Sequence, residues 1–331
     1  MVTIKDVAKD AGVSVGTVSK IINGIPVGIE YQQRVDKSIE KLGYKVNIYA
    51  RGLKAQKTNT IAVIVPNLIY SFYAVWVNSI EEELSKRDIK LLLCISNENA
   101  KKEAAYIEMA RQNKVDGIIG ITYSDIDKYV NDDLPFVSID RHFKSSIQCV
   151  ASDNYHGGEL AAEKLIETGC KNLLYFRSGS NIEGETLKRA SGFQDYCEKR
   201  KVNYEIYNYE GASSYLSPKD SRKRINEFLQ RHRKGHSLKY DGIFTSNDLL
   251  AVTILEELNS FGIKVPEEVQ IIGYDGIKKW NEGDPMVSSI EQPIGFLAEK
   301  CVENVLKLIA KENVEAISIL PVRFVEGGTT K

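Results

Sequence analysis

Long apolar runs and the cysteine and histidine patterns of metal sites are missing from this chain of 331 residues. No apolar stretch approaches the roughly 18 residues of a membrane span, so the sequence predicts no transmembrane helix. The opening "MVTIKDVAKD" lacks the apolar core of a secretory signal, and we expect a cytoplasmic protein. The five cysteines include no CxxC pair and the four histidines have no metal-ligand spacing. We therefore expect no disulfide framework, no metal and no other cofactor.

Catalytic motifs are also scarce. The stretch "RSGSNIEGET" (177–186) has the Gly179 to Gly184 spacing of a phosphate-binding loop, but Glu185 stands where that loop needs lysine. We interpret it as the rim of a ligand cleft. No G-x-S-x-G sequence is present. The carboxylates of "YDG" and "SND" leave a glycosidase as an alternative, although the sequence offers no clear acid and nucleophile pair.

Charge is distributed unevenly along the chain. Residues 1–60 contain ten Lys and Arg against five Asp and Glu, a balance of +5. The remaining residues therefore hold 34 against 40, a balance of −6. A small basic region ahead of an acidic body suggests nucleic-acid binding, and a solvated basic surface explains the numbers equally well.

Three short helices are predicted at the N-terminus. Thr3 and Ser14 are placed to cap the first two, and the "AGVS" turn between them contains Gly12. The third helix is predicted from about Tyr31 to Leu42. The positions predicted to face inward are Ile4, Val7, Ala8, Ala11, Val18, Ile21, Ile22, Val35, Ile39 and Leu42. Two helices joined by a short glycine-containing turn indicate a helix-turn-helix, whose second helix enters the major groove.

Two segments resemble the lactose-repressor family of bacterial transcription regulators: "TIKDVAKDAGVSVGTVSKIING" and the hinge-like "LGYKVNIYARGLK". Two positions depart from that pattern, because Val46 replaces a proline and Gly28 replaces a capping serine or threonine. The resemblance implies that Leu53 wedges into the minor groove. The residues expected to contact DNA are Thr3, Ser14, Val15, Gly16, Thr17, Ser19, Lys20, Asn23, Asn47, Ala50, Arg51, Leu53 and Lys54.

From Thr60 onward, apolar runs alternate with amphipathic helical stretches, which predicts parallel sheets covered by helices. The predicted strands are "TIAVIVP", "IKLLLCI", "VDGIIGI", "PFVSID", "NLLYF", "YEIYNY", "YDGIFTS" and "VQIIGYD". The set occurs twice, which indicates two doubly wound lobes. The predicted fold is an all-α helix-turn-helix head followed by an α/β body, and the resemblance implies that the body is periplasmic-binding-protein-like.

The resemblance also implies the domain boundaries. They are a DNA-binding domain at 1–45, a hinge and linker at 46–59, and a ligand-binding and dimerisation domain at 60–331. Within that domain the N-lobe would comprise about 60–152 and 293–312, and the C-lobe about 153–290 and 313–331. The chain would thus return to the C-lobe around residue 313.

Polar and aromatic residues follow the predicted strands, and in parallel sheets ligands bind at those carboxyl ends. Carboxylates, arginines and amides suit vicinal hydroxyl groups, and aromatic faces suit sugar rings. Taken singly, each has an ordinary structural explanation, such as capping or core packing; the resemblance favours Arg189, Asp248 and Asp275. The predicted effector site comprises Phe72, Tyr73, Asp140, Arg141, Arg189, Tyr215, Asn247, Asp248, Asp275, Trp280 and Gln292.

Together with these features, the resemblance implies a homodimeric transcription regulator that binds a palindromic DNA operator and represses carbohydrate-utilisation genes. A small sugar in the interlobe cleft would control it. The end "VEGGTTK" adds no heptad tail, which favours a dimer over a tetramer. The alternatives are a corepressor-dependent regulator that binds a purine or a phosphocarrier protein, a sugar-cleaving enzyme and a transport-type binding protein.

Overall fold

The computed structural model describes residues 2–44, 58–131, 134–143, 147–178, 184–209, 218–278 and 283–331. It divides into two compact units, Met1–Thr58 and Asn59–Lys331. The first contains the predicted head and the second the predicted body. Residues 46–57 of the predicted hinge and linker (46–59) lie outside the described residues.

The head consists of helices α1 (Ile4–Ala11), α2 (Val15–Ile22) and α3 (Ile29–Leu42). Thr3 and Asp6 form a reciprocal capping box at the start of α1, and Ser14 accepts a hydrogen bond from the Thr17 N–H of α2. Both predicted caps are confirmed. Gly12 ends α1 at φ 63°, the left-handed conformation that the tight turn into α2 requires.

One small apolar core holds the three head helices together. It contains Val7, Ala8, Val18 and Val35, with Ile39 and Leu42 half-buried around it. Ser38 adds a hydrogen bond from its hydroxyl to the Val7 carbonyl oxygen at 3.3 Å. The inward positions predicted from helical spacing therefore lie at the helix contacts, and α2 keeps its opposite face exposed.

The body contains two lobes, each built on one six-stranded sheet. First-lobe strands are β1 (Thr60–Val65), β2 (Lys90–Ile95), β3 (Gly117–Gly120), β4 (Phe136–Ile139), β5 (Gln148–Ser152) and β13 (Ile317–Leu320). Second-lobe strands are β6 (Asn172–Ser178), β7 (Asn203–Tyr209), β10 (Gly242–Thr245), β11 (Gln270–Asp275), β12 (Ser289–Glu291) and β14 (Arg323–Val325). The first-lobe sheet is parallel with the order β13-β5-β4-β3-β1-β2, and the second-lobe sheet has the order β14-β12-β11-β10-β6-β7 with only β14 antiparallel.

Helices cover these sheets. In chain order they are α4 (Ser71–Ser85), α5 (Ala100–Gln112), α6 (Asn154–Glu167), α7 (Lys188–Arg200), α8 (Pro218–His232), α9 (Asp248–Ser260) and α10 (Ile294–Ile309). A two-stranded hairpin of β8 (Arg233–Lys234) and β9 (Ser237–Leu238) follows α8. Helices α6 and α7 pack so closely that a Cβ on Gly192 would lie only 1.9 Å from the Tyr155 carbonyl oxygen. This contact fixes the start of α7, which carries Arg189.

All eight predicted strands are present. The sequence missed β5, β12, β13, β14 and the short hairpin, most of which are four residues or fewer. Strand β13 also corrects a boundary. It pairs with β5 in the first lobe, so the chain returns to the second lobe after Leu320 and not around residue 313. Within the described residues, every helix is too short or too polar to cross a membrane.

Candidate functional site

The head presents the N-terminal part of α2 to solvent. Val15, Gly16 and Lys20 are exposed. Val15 is apolar, yet 42% of its surface is accessible to solvent. Among the other predicted DNA contacts, Thr3, Ser14 and Asn23 are exposed and Thr17 and Ser19 are half-buried. Such a surface is compatible with the major groove of DNA. Small residues allow close approach there, the apolar side chain can contact a thymine methyl group, and the lysine can donate to guanine.

Some of these polar groups already have partners within the head. The Ser14 hydroxyl lies 2.9 Å from the Thr17 hydroxyl, and the Asn23 amide donates to the Ser19 carbonyl oxygen at 2.7 Å. Asn23 therefore ends α2 as its C-cap. The predicted hinge contacts Asn47, Ala50, Arg51, Leu53 and Lys54 lie outside the described residues.

In the body, a buried polar network connects the two lobes at the carboxyl ends of the strands. Asp140 follows β4 in the first lobe, whereas Asn154 and Arg189 begin α6 and α7 on the second. The Asn154 amide nitrogen donates to Asp140 Oδ1 at 3.0 Å, and its oxygen accepts from Arg189 Nε at 2.6 Å. One amide thus joins a carboxylate and a guanidinium across the cleft.

Arg189 is held in place on three sides. Besides Asn154, its Nη1 donates to the Ser246 carbonyl oxygen at 2.8 Å after β10. Its guanidinium carbon lies 3.6 Å from the centre of the Tyr274 ring in β11. Burial lowers the pKa of this guanidinium, but Tyr274 and Asp140 more than offset that effect and hold the pKa above its usual value. Arg189 is therefore a fixed, charged donor.

Asp275, at the end of β11, belongs to a second set of hydrogen bonds. Its Oδ1 accepts from Gln292 Nε2 at 2.6 Å, and Gln292 Oε1 in turn accepts from the Ser152 hydroxyl at 2.6 Å. Asp275 is 3% exposed and has a positive φ of 114°. In the described part of the chain, its Oδ2 has no hydrogen-bond partner. A buried carboxyl oxygen without a partner is costly unless a ligand satisfies it.

Asn247 and Asp248 have structural partners at the start of α9. Asn247 caps the helix by accepting from the Leu250 N–H at 2.9 Å. Asp248 accepts from the Ile277 N–H and from the Ser289 hydroxyl, both at 2.6 Å. Asn247, and not Asp248, is therefore the N-cap of this helix. Asp248 instead ties α9 to the loop that follows β11.

The predicted aromatic residues pack at the start of α4. Phe72 and Tyr73 are buried, with their ring centres 5.8 Å apart in an edge-to-face contact. They share an apolar cluster with Ile277 from the second lobe. Burial raises the pKa of Tyr73 well above its ordinary value, and the neighbouring Tyr123 raises it further. Tyr73 and Tyr123 therefore stay neutral phenols near Arg189.

Arg141 does not join this network. Its guanidinium donates to Thr122 Oγ1 at 3.2 Å and to the Ser124 carbonyl oxygen, and it pairs with Asp127 at 3.1 Å. These partners all belong to the first lobe. The Arg141 side chain thus braces the loop after β3, and its contact with an effector stays a prediction. Tyr215 and Trp280 lie outside the described residues.

Burial changes the protonation of the cleft carboxyls. It raises the pKa of Asp140 to about 6, although Arg189 and Asn154 pull that value down. It raises the pKa of Asp248 to about 7, against hydrogen bonds from Ser289 and the backbone. For Asp275, burial raises the pKa well above the usual range and only Gln292 opposes it. The cleft therefore pairs a permanent cation with carboxyls that readily hold protons.

The sequence missed several members of the network, namely Ser152, Asn154, Ser246 and Tyr274. Asn154 had a recognisable signal, because it begins the helix after a lobe crossover and follows a capping aspartate. Tyr274 had none, since an aromatic residue inside an apolar strand normally indicates core. Its neighbour Asp275 occupies the opposite face of β11, as successive strand residues do.

Two family models match the chain. The model described as "Bacterial regulatory proteins, lacI family" matches residues 3–47, and the one described as "Periplasmic binding protein-like domain" matches residues 162–330. The first model therefore matches the helix-turn-helix head. The second matches most of the second lobe and also includes α10 and β13 of the first lobe.

Known proteins match over the full length. The chain is 34% identical to the sucrose operon repressor of Streptococcus mutans over 326 residues, which covers 98% of each chain. It is 32% identical to the ribose operon repressor of Bacillus subtilis over 334 residues, covering 100% of this chain and 99% of that one. A crystal structure of the lac repressor dimer bound to operator and an anti-inducer has the same fold, with a TM-score of 0.81, 18% identity and 99% coverage of both chains.

Proposed function

Because the chain belongs to the lacI family of bacterial regulatory proteins, we propose that it is a sugar-responsive repressor that binds operator DNA. The relatives are named as repressors of sucrose and ribose operons, and this counts against the sugar-cleaving enzyme that the carboxylates left open. The head supplies the DNA-reading helix and the body supplies the ligand cleft. A cytoplasmic location follows from this activity, because the operator lies there.

Operator recognition rests on the exposed start of α2. Val15, Gly16 and Lys20 face solvent there, and Thr17 borders them. Phosphate contacts would supply affinity that depends on salt, while these side chains select bases. On sequence resemblance alone, Leu53 would wedge into the minor groove at the centre of the operator. A palindromic operator requires two heads, which fits a homodimer like the lac repressor dimer.

The observation that supports the sugar response is the buried Oδ2 of Asp275, which has no hydrogen-bond partner among the described residues. Gln292 and Ser152 link this carboxyl to Asn154 and hence to Arg189. Vicinal hydroxyls of a sugar donate to carboxylates and accept from guanidinium and amide groups, so one small polyol would satisfy both kinds of partner. In the described network Arg189 is the single cation, and it already contacts Asn154 and the Ser246 carbonyl oxygen, so a doubly charged phosphate would find no second cationic partner there. This arrangement favours a neutral sugar over a phosphorylated one.

Ligand binding changes DNA affinity only through a difference between two conformations. The network joins Asp140 of the first lobe to Asn154 and Arg189 of the second, so a sugar held by it would favour closed lobes. Closure would shift the first lobes of the dimer relative to each other and thereby alter the spacing of the two hinges. We infer that a sugar which closes the cleft releases the operator.

The decisive experiment is fluorescence anisotropy of the full-length protein on a palindromic fragment from upstream of its own gene. Sucrose, D-ribose and other neutral sugars are titrated into the complex. Release by one sugar supports the proposal and identifies the effector. Tight operator binding that is indifferent to every sugar would point to a corepressor such as a purine or a phosphocarrier protein. Absence of sequence-specific binding would reject the regulator proposal.

A further inference from the structure

Gly184 and Glu185 make a backbone contact between the two lobes of the body. They precede α7 in the second lobe, while Asp140 and Arg141 follow β4 in the first. Arg141 and Gly184 form an isolated antiparallel bridge. The Glu185 N–H donates to the Asp140 carbonyl oxygen at 2.7 Å. A segment of each lobe thus pairs with the other as two short strands would.

This contact depends on the absence of a side chain at position 184. A Cβ there would lie 2.4 Å from the Asp140 carbonyl oxygen and 3.5 Å from the Arg141 Cα. The first distance is far inside van der Waals contact, so any other residue would push the two backbones apart. Gly184 itself has φ 175°, an extended conformation that any residue adopts. The requirement for glycine comes from the close approach alone.

The Glu185 side chain strengthens the same junction. Its carboxylate is only 2% exposed, and its Oε1 lies 2.6 Å from His142 Nε2 and 2.7 Å from Lys188 Nζ. His142 belongs to the first lobe and Lys188 to the second. A buried carboxylate is costly without partners, and separation of the lobes would remove one of these two. The side chains therefore favour the joined state, as the backbone hydrogen bond does.

Asp140 connects this junction to the cleft. Its carbonyl oxygen accepts from Glu185, while its carboxylate accepts from Asn154. Its φ of 56° is uncommon for a residue with a side chain, and contacts on both sides hold it there. The residue that presents a carboxylate to the network is thus held by the opposite lobe through its own backbone.

We propose that Gly184 and Glu185 are positioning residues that form an interlobe latch with Asp140 and His142. The latch favours the closed lobes and so sets how much sugar is needed for the response. The effect of the latch on the sugar response rests on the proposed function, whereas the existence of the latch does not. The close backbone approach accounts for the glycine at position 184.

The latch is tested by hydrogen–deuterium exchange of the full-length protein without ligand. The reporter is the Glu185 amide, and the variants are Gly184→Ala and, as a matched control, Gly295→Ala, where an added Cβ meets open space. After correction for intrinsic rates, we expect exchange at Glu185 to rise at least about tenfold in G184A and to stay unchanged in G295A. An unprotected Glu185 amide in the natural protein, or equal protection in G184A, would overturn the proposal.

A second variant covers the case in which G184A fails to fold. His142→Ala removes a half-exposed side chain and adds no bulk, so we expect a smaller increase at Glu185 of about threefold. Peptides from β11, whose residues are all buried, should keep their protection and show that the fold is intact. No increase at Glu185 in H142A would show that the side-chain part of the latch is absent.

The effect on regulation is measured with sucrose and D-ribose as the two probes. For whichever releases the natural protein from operator, the midpoint concentration should rise about tenfold in G184A, because closure loses its latch. Faster exchange without a change in the midpoint would refute the positioning role. If neither sugar releases the natural protein, the sugar proposal fails for these two probes, while the exchange result still decides the latch.

Discussion

The Arg189 guanidinium lies over the Tyr274 ring, with 3.6 Å between the guanidinium carbon and the ring centre, and both residues belong to the second lobe. The ring supports one face of the guanidinium, while Asn154 and Ser246 occupy two of its hydrogen-bond directions. The remaining donors are thereby oriented before any ligand arrives. Such preorganisation lowers the entropic cost of binding a flexible polyol.

Replacement of Arg189 by lysine should impair the sugar response. A lysine has the charge but lacks the planar fork that contacts Asn154 and Ser246 together, and it stacks less well on Tyr274. Loss of one charge-assisted hydrogen bond corresponds to about a 10- to 100-fold higher midpoint of sugar-induced release. The comparison variant is Arg200→Lys, which alters an exposed arginine 5.3 Å from the Tyr196 ring. An R189K midpoint equal to that of R200K would refute the assigned role.

Asp275→Ala should abolish the response to sugar and leave operator affinity intact. The change removes the free Oδ2 and also leaves Gln292 without its acceptor. We expect a loss of at least about 100-fold in sugar affinity, since a buried hydrogen-bonding group is left unpaired as well. Isothermal titration calorimetry with the identified sugar measures this directly. Asp284→Ala, at an exposed position, serves as the control, and normal binding by D275A would remove Asp275 from the site.

Substitutions in α2 should separate base reading from phosphate contact. Val15→Ala removes exposed apolar surface, so we expect about tenfold weaker operator binding with unchanged affinity for unrelated DNA. Lys20→Ala should weaken operator binding, and its salt dependence identifies the contact. If the slope of log affinity against log salt concentration falls in magnitude by about 1, Lys20 contacts a phosphate; if the slope is unchanged, Lys20 contacts a base. Anisotropy at several salt concentrations provides both values, with Lys86→Ala in the body as control. Full operator affinity in K20A would exclude the lysine from the interface.

The raised pKa of Asp140 makes the stability of the body depend on pH. Burial raises that pKa from 3.8 to about 6, so between these values the folded state holds a proton that the unfolded state has released. The associated stability is fully present below pH 3.8 and is lost as the pH rises through 6, by up to about 3 kcal/mol. Asp140→Asn has no titratable carboxyl at this position and therefore lacks this pH dependence, but its amide oxygen can still accept from Asn154.

Urea unfolding of both proteins between pH 4 and 8 checks this sign. The free energy of unfolding of the natural protein, relative to that of D140N, should fall as the pH rises across the window. Asp195→Asn, which changes a side chain bonded to Tyr155 on the surface of α7, should follow the natural protein. A difference that is constant with pH would show that Asp140 keeps its ordinary pKa in the folded protein.

The sequence determined the three head helices and eight of the fourteen strands among the described residues. Helical spacing at Val7, Ala8 and Val18 predicted the head, and the apolar runs predicted all eight strands that were assigned, because periodicity is a local property of the chain. Strand ends also identified Asp140 and Arg189, since polar residues after parallel strands collect at one edge of a sheet. The two capping residues of the head were likewise readable from a few neighbouring residues.

Tertiary structure alone decided which of these polar groups meet. Asp140 and Arg141 are neighbours in the chain, yet one side chain bonds to the second lobe and the other to the loop after β3. Strand β13 joins the first sheet because Cys149 to Ser152 offer it an open edge, a pairing that spans more than half the chain. Nor does any local pattern place Gly184 against the Asp140 carbonyl. Spacing along the sequence fixes the periodic faces of helices and strands, whereas contacts between distant segments depend on how the lobes pack.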